Sequence, residues 1–204
     1  MNAVTKQSTV APAAASPVRP PLRRHSFARE LIETAVLVVI IYTFVNLTTV
    51  RFFIDGPSMQ PTFHAGEFLI VSRVNYVLGS PERGDIVVFD APGSEADDPP
   101  LIKRLIGVPG DMVEVRDDGV YINGTALQEP YTKELTSTRR CRDCVWQLGP
   151  DEYFLMGDNR NNSRDSRMFG PVTHDRIIGE AVIRYWPTSD WGIVARAGYN
   201  DQLP

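Results

Sequence analysis

The sequence predicts a mostly β protein, an antiparallel sheet or partly closed barrel, preceded by one N-terminal transmembrane helix. Three observations support this prediction. An uncharged hydrophobic run stands near the N-terminus. Beyond it, short runs rich in β-branched and aromatic residues alternate with Gly, Pro, Asp and Asn, and no stretch of this second part shows strong helical periodicity.

The charge of the chain divides close to the hydrophobic run. The first 30 of the 204 residues hold five of the 21 lysines and arginines and one of the 25 acidic residues, a net charge of +4. The remaining residues hold 16 basic and 24 acidic side chains, a net charge of −8. Nucleic-acid backbones require clustered basic residues, so we expect this acidic body to bind no nucleic acid.

The hydrophobic run comprises 17 uncharged residues, from Thr34 to Val50. As a helix it would rise about 25 Å, the short end of what spans a bilayer. A buried core helix and a cleaved secretory signal are the alternatives, but the run lacks amphipathic spacing and no small-residue cleavage site follows it. We therefore predict an uncleaved transmembrane helix at residues 29–50.

Basic residues precede this helix in excess, which by the positive-inside rule places the N-terminus in the cytosol. Residues 1–28 are rich in Ala, Pro and Ser and are expected to form a disordered, basic cytoplasmic tail. Residues 51–204 then form an extracytoplasmic domain. The expected location is the inner (plasma) membrane, crossed once.

Seven strands are predicted in this body, each ended by turn residues. They are expected at Glu67–Val74, Asp85–Asp90, Leu101–Val108, Met112–Arg116, Val120–Ile122, Tyr153–Met156 and Ile177–Trp186. The pair Asp118-Gly119 between two apolar runs also indicates a hairpin.

Residues 126–150 are more polar and are interpreted as an insertion between strands. They contain Cys141 and Cys144, which outside the cytosol favour a disulfide, although free thiols remain an alternative. A metal site would need two further ligands, and the histidines, His25, His64 and His174, are scattered without ligand spacing. No metal is therefore expected.

Ser58 is the first candidate for chemistry. It lies between Gly56-Pro57 and Pro61, and such residues fix a sharp turn that leaves a hydroxyl exposed, as a nucleophile requires. An ordinary serine in a Pro-stabilised turn is the alternative.

A serine nucleophile needs a base, and Lys103 is the candidate. It lies between apolar residues in a predicted strand, where burial would lower the pKa of its amine so that the neutral form can accept a proton. Alternation turns Lys103 and Arg104 to opposite faces, so one of these cations must lie among apolar neighbours. The alternatives are an edge-strand lysine and a base provided by His64 or His174.

A third unusual segment, residues 156–171, follows an apolar strand and is dense in Gly, Asp, Asn, Ser and Arg. Such residues form many bonds between side chains and backbone, so an ordered polar loop is expected. It is either a solvated loop or a source of hydrogen bonds that orient a lysine amine.

Together, and in this order after one anchor, these segments resemble type I signal peptidases, the membrane-bound Ser-Lys endopeptidases. The resemblance covers nearly all of residues 30–187. Four boxes match: GPSMxPT around Ser58, RGDIVVF at Arg83–Phe89, KRxIGxPGD at Lys103–Asp111, and GDNRxNSxDSR at Gly157–Arg167.

The resemblance implies a role for each matching residue. Ser58 is expected to be the nucleophile and Lys103 its general base, with Ser163 orienting the amine and Asp165 and Arg167 forming a supporting ion pair. Met59 is expected beside the nucleophile, as one of the residues of the substrate pocket. Phe52, Ile54, Leu101 and Ile102 are expected to line shallow apolar pockets for small residues at −1 and −3 of the substrate.

The family fold implied is mostly antiparallel β structure with a variable β insertion, here expected at about residues 112–152. One departure is Gly56, where some family members have a serine whose hydroxyl joins the nucleophile's backbone N–H in the oxyanion hole. Without that hydroxyl, the hole rests on backbone N–H groups such as that of Ser58, and the second donor stays open.

The sequence therefore predicts a membrane-anchored serine endopeptidase that removes signal peptides from exported preproteins. It is expected to need no cofactor, to act as a monomer, and to contact membrane lipid, because Ser58 follows the anchor by only about eight residues. An apolar patch of Phe52, Phe53 and Phe63 would either meet the lipid or form core. A self-cleaving, repressor-type protease and an anchored binding module are the competing hypotheses.

Overall fold

The computed structural model describes residues 27–95, 97–136 and 144–199. Its first element, helix α1, extends from Phe27 to Thr48, and none of its 22 residues is buried. It is long and apolar enough to cross a membrane. The predicted N-terminal helix is thus present, although Thr49 and Val50 belong to the first strand instead.

Twelve strands follow in the described part of the chain. They are β1 Thr49–Phe53, β2 Phe68–Ser72, β3 Ile86–Phe89, β4 Leu101–Gly107, β5 Met112–Arg116, β6 Gly119–Ile122, β7 Thr125–Ala126, β8 Val145–Gln147, β9 Glu152–Met156, β10 Val172–Thr173, β11 Ile177–Trp186 and β12 Gly192–Ile193. Two four-residue helices accompany them, α2 Asn75–Leu78 and α3 Ser166–Phe169, and short 3-10 turns cover His174–Arg176 and Thr188–Asp190.

The strands form two antiparallel sheets. The larger has the order β1-β2-β11-β3-β4-β9-β10, with β12 added to β11, and the smaller has the order β7-β6-β5-β8. Register shifts in β11 and β4 bend the larger sheet. As a result, five adjacent strands line one concave surface, in the order β1, β2, β11, β3 and β4. The predicted mostly β, partly closed architecture is confirmed.

Buried apolar side chains hold these layers together. Ile106 of β4 and Phe154 of β9 pack against Val113, Val115 and Ile122 of the smaller sheet. Here Gly107 permits close contact, because a Cβ at this position would lie only 2.6 Å from a methyl group of Val113. This packing fixes the smaller sheet against the strand that contains Lys103.

All seven predicted strands are present, with ends shifted by at most two residues, and the hairpin pairs β5 with β6. The sequence reading missed β1, β7, β8, β10 and β12. Four of these have two or three residues, too few to show alternation, and β1 continues the apolar helix without a break.

The smaller sheet lies within residues 112–152, where the insertion was expected. Cys144 is disulfide-bonded in the structure, while Cys141 lies outside the described residues. Residues 1–26, most of the predicted tail, also lie outside them. Among the described side chains, no group of three or more His, Cys, Asp or Glu is placed to hold a metal ion.

Candidate active site

Ser58 lies on a tight turn between β1 and β2. The turn is closed at its base, where Ile54 N donates to Glu67 O at 2.9 Å, and near its tip, where Gln60 N donates to Pro57 O at 3.1 Å. Ser58 stays partly exposed at this tip. The turn around the Gly-Pro pattern therefore leaves Ser58 accessible from the groove that it lines.

Lys103 meets this hydroxyl from β4. The strand pairs with β3 on one side and β9 on the other, and Lys103 is only 3% exposed. Its Nζ donates to Ser58 Oγ at 2.8 Å and to Ile102 O at 2.6 Å. The two residues predicted to react together are thus in direct contact.

Burial changes the acid–base behaviour of this amine. It lowers the pKa of Lys103 from 10.5 to about 8, against the attraction of Asp165 and Asp158, which favours the charged form. An amine with this pKa is neutral in a large fraction of molecules at mildly alkaline pH. Lys103 can therefore accept a proton from a hydroxyl that it contacts.

The polar loop, residues 157–167, lies beside the pair. Asp165 accepts from Arg167 Nε at 2.8 Å, from Arg167 Nη2 at 2.7 Å and from Gly157 N at 3.0 Å. Burial alone would raise the pKa of Asp165, but these bonds, the Arg167 charge and a hydrogen bond with Ser163 hold it below its usual value. Asp165 is therefore a fixed anion, and the predicted Asp165–Arg167 pair is present.

Ser163 is buried and packs close to the turn of Ser58. A Cβ added to Gly157 would lie 2.5 Å from Ser58 O and would also clash with Ser163 Oγ. Gly157 is therefore the position at which the polar loop and the nucleophile turn approach each other. The hydrogen bond identified for the Ser163 side chain is that with Asp165.

A buried ion pair that the sequence reading missed joins the same segments. Arg104 donates to Asp158 from Nε at 2.9 Å and from Nη2 at 2.7 Å, and Asp158 also accepts from Thr62 Oγ1 at 2.5 Å. Lys103 and Arg104 are therefore both buried, the first against the nucleophile and the second against a carboxylate. The sequence features that could have indicated this ion pair are the adjacent basic residues of β4 and the Asp of the GDN motif.

Asn159 was also missed. Its side chain donates to Pro57 O at 3.1 Å, and its backbone N donates to Ser58 O at 3.0 Å. It thus binds both carbonyl groups around the nucleophile. A position in a motif does not reveal which atoms its side chain contacts in the fold, so the sequence could not indicate this contact.

An apolar groove of about 830 Å³ begins at the Ser58–Lys103 pair. Four of the five residues predicted to form the substrate pocket line it: Phe52, Ile54, Leu101 and Ile102. The sequence reading missed further wall residues contributed by neighbouring strands, which are Val71, Val88 and Ile178. Edge strand β1 forms one side of the groove, so an extended peptide can lie along it.

Met59 and Phe63 lie beneath the groove. Met59, the fifth residue predicted for the substrate pocket, is fully buried and packs in the apolar cluster with Ile54, so it supports the groove from below and does not line it. Phe63 is 2% exposed, so it is core, whereas Phe53 is 49% exposed.

Gly56 is the position where some family members have a serine. A Cβ at this position would meet nothing within 4 Å.

Neither His64 nor His174 is placed to act as the base for Ser58 in the described part of the chain. His64 is exposed, and its Nδ1 lies 3.7 Å from Glu67 Oε1. His174 lines a different cavity of about 810 Å³ that contains neither Ser58 nor Lys103. The geometry thus favours the lysine as the base. A hydroxyl, an amine with a lowered pKa and an apolar groove beside a sheet edge are suited to acyl transfer from an extended peptide.

Comparison with known proteins identifies the family. A family model described as signal peptidase, peptidase S26, matches residues 27–186. A probable signal peptidase I-2 of Synechocystis is 36% identical over 174 residues, which cover 81% of this chain and 75% of the relative. Signal peptidase IB of Staphylococcus aureus strain COL is 36% identical over 176 residues, covering 79% and 90%.

Among solved structures, a signal peptidase I of Enterococcus faecalis V583 is 35% identical, with a TM-score of 0.41. The match covers 49% of this chain and 95% of that one.

Proposed function

The chain belongs to the signal peptidase family, peptidase S26, and we propose that Ser58 and Lys103 are the nucleophile and the general base of its reaction. Family membership makes the protein a serine endopeptidase that removes signal peptides from preproteins. The observation that carries the assignment is the 2.8 Å contact between Lys103 Nζ and Ser58 Oγ.

In the proposed reaction, neutral Lys103 accepts the Ser58 proton, and Oγ attacks the carbonyl carbon of the scissile bond. The backbone N–H of Ser58 donates to the oxyanion that forms. The proton passes from Lys103 to the leaving amine, the mature protein departs, and the signal peptide remains as an ester on Ser58. Lys103, neutral again, then deprotonates the water that hydrolyses this ester.

The polar loop supports this chemistry in the proposal. Ser163 orients the lysine amine, and the Asp165–Arg167 ion pair keeps Ser163 in place. The proximity of Ser163 Oγ to Gly157, which itself packs on Ser58 O, supports this assignment.

The groove is proposed to select small residues at −1 and −3. Ile54 and Ile102 are 2% and 5% exposed, so they form a filled wall that leaves only shallow depressions. Phe52 and Leu101 complete the two sides. A large substrate side chain would have to displace packed core residues, which costs more than a substrate contact gains.

Helix α1 fits a membrane anchor. We place the N-terminus in the cytosol and the catalytic body outside, in the inner (plasma) membrane, because the basic residues precede the helix. Phe53 is half exposed and packs against Phe68 in a tilted arrangement, with ring centroids 4.9 Å apart, which suits contact with lipid. The protein acts as a monomer and binds no nucleic acid in this proposal.

The test is to incubate the detergent-solubilised full chain with a preprotein and to determine the new N-terminus of the product. A cut after a small residue at −1, with another at −3, is expected from the native chain. Ser58→Ala and Lys103→Ala should stay folded and leave the preprotein intact. Cleavage by either variant at the native rate would contradict the dyad.

A further inference from the structure

A buried ion pair joins the segment after β7 to the polar loop of residues 157–167. The Arg160 side chain is 0% exposed and that of Glu129 is 8% exposed. Glu129 Oε1 accepts from Arg160 Nη2 at 2.6 Å, and Oε2 accepts from Nη1. Such a two-oxygen contact fixes the orientation of the guanidinium as well as its position.

Arg160 passes this restraint on to both ends of the polar loop. Its Nε donates to Gly157 O at 3.1 Å, and its own carbonyl oxygen accepts from Arg167 Nη2 at 2.6 Å. Ser163 and Asp165 lie between these two points. The conformation of the loop thus depends on where Arg160 is held.

The same segment also reaches the strand of the general base. Tyr131 OH donates to Glu129 Oε1 at 2.8 Å, and the Arg104 guanidinium lies 4.0 Å from the centre of the Tyr131 ring. Arg104 directly follows Lys103. Residues 129–131 therefore contact both β4, which contains Lys103, and the polar loop, whose Asp158 and Asp165 act electrostatically on the lysine amine.

We propose that Glu129 is a positioning residue for proteolysis: through Arg160 it fixes the polar loop against β4 and keeps the Lys103 amine dry and in contact with Ser58. The inference rests on the proposed function of Ser58 and Lys103. It gives residues 129–131, within the expected insertion, a part in catalysis.

The physical argument concerns an unpaired charge. If the Glu129 carboxylate is neutralised, Arg160 stays buried without its paired anion, and Asp158 is the remaining carboxylate that acts on it, so the loop must rearrange or admit water. Water near Lys103 would weaken the desolvation that lowers its pKa, while Asp158 and Asp165, the charges acting on the amine, remain in place. The Lys103–Ser58 contact would then loosen, and the pKa of Lys103 would rise.

The experiment compares Glu129→Gln with the native full chain in detergent, on one preprotein substrate. We expect kcat to fall by about tenfold or more, with KM changed by less than about twofold. We also expect the acid limb of the pH profile to move to higher pH, an effect that a loss of stability alone would not produce.

Glu114→Gln is the matched control. Glu114 makes the same two-oxygen contact, with Arg116, at 2.8 and 2.9 Å, but on the exposed surface of the smaller sheet. It should leave both kcat and the pH profile unchanged. Tyr131→Phe is the second variant, because it removes the contacts of the hydroxyl with Glu129, Arg160 and Tyr199 and keeps the ring against Arg104. If Glu129→Gln does not fold, this milder change should still lower kcat by about threefold or more and shift the limb.

The inference is overturned if Glu129→Gln, or Tyr131→Phe in its place, is folded and retains the native kcat and acid limb, even with a lower melting temperature. In that case the pair is only structural, and the native chain's cleavage leaves the proposed function intact. A native chain that does not cleave the preprotein overturns both.

Discussion

Lys103 Nζ lies 2.8 Å from Ser58 Oγ, although the two residues are 45 positions apart in the chain. The same amine donates to Ile102 O at 2.6 Å, so it is held from its own strand as well as by the nucleophile. Because β4 is paired on both sides, this position is set by the sheet rather than by a mobile loop.

Proteolysis should depend on pH through the Lys103 amine. Its pKa of about 8 means that the neutral base is scarce at acid pH, so kcat/KM should rise about tenfold per pH unit and level off above about pH 8. A pH profile of cleavage measures this directly. An acid limb centred near pH 6.5 would instead indicate a histidine base.

Removing the buried amine should stabilise the fold at neutral pH. In the unfolded chain the pKa of Lys103 returns to about 10.5, so between pH 8 and 10.5 the unfolded state binds more protons and stability rises with pH. Below pH 8 the folded state carries the full cost of the buried ammonium, roughly 3 kcal/mol. Lys103→Met should therefore be more stable by up to about 3 kcal/mol at pH 7.

Denaturant unfolding at pH 7 and near pH 11 measures this effect, and the gain should disappear at the higher pH. Lys133→Met, at an exposed position, is the control and should leave the free energy of unfolding unchanged at both pH values. A lower free energy of unfolding for Lys103→Met at pH 7 would show that burial of the lysine ammonium does not destabilise the native fold.

Gly157→Ala should inactivate the enzyme. The added Cβ would lie 2.5 Å from Ser58 O, so the polar loop and the nucleophile turn must separate, and such shifts cost about 100-fold in kcat. Gly56→Ala is the steric control, because its Cβ meets nothing within 4 Å, and its kcat should stay within about threefold. Equal kcat values for the two variants would refute the close approach.

Asn159→Ala should lower kcat by about tenfold with little change in KM, because it removes the bond to Pro57 O and loosens the turn of Ser58. Steady-state kinetics on a preprotein provide the measurement. Asn161→Ala is the comparison, since that side chain donates to Glu134 and Leu135 O instead. Native kinetics for Asn159→Ala would remove Asn159 from the support of the nucleophile.

Much of the fold follows from local pattern. The strand Met112–Arg116 has the predicted ends because its alternation and flanking turns are both strong, and the long β11 is equally clear. The two-residue strands β7, β10 and β12 exist only through their partners, and no local pattern encodes a partner.

The site divides in the same way. Ser58 and Lys103 are detectable because four motif boxes occur in order after one anchor. A constrained serine or a lysine among apolar residues is, by itself, equally compatible with an ordinary turn or an edge strand. The partners of Arg104, Asn159 and Arg160 depend on how distant segments meet in three dimensions. Alternation placed Lys103 and Arg104 on opposite faces, but only the fold reveals that Asp158 makes the second face polar enough for Arg104.

The most direct test of the Ser58–Lys103 assignment is mass spectrometry of the enzyme quenched in acid during turnover of a preprotein. The account predicts an ester adduct on Ser58 that adds the mass of the signal peptide less one water, absent from Ser58→Ala and Lys103→Ala. Rapid product formation with no adduct on Ser58, together with cleavage by Ser58→Ala, would contradict it.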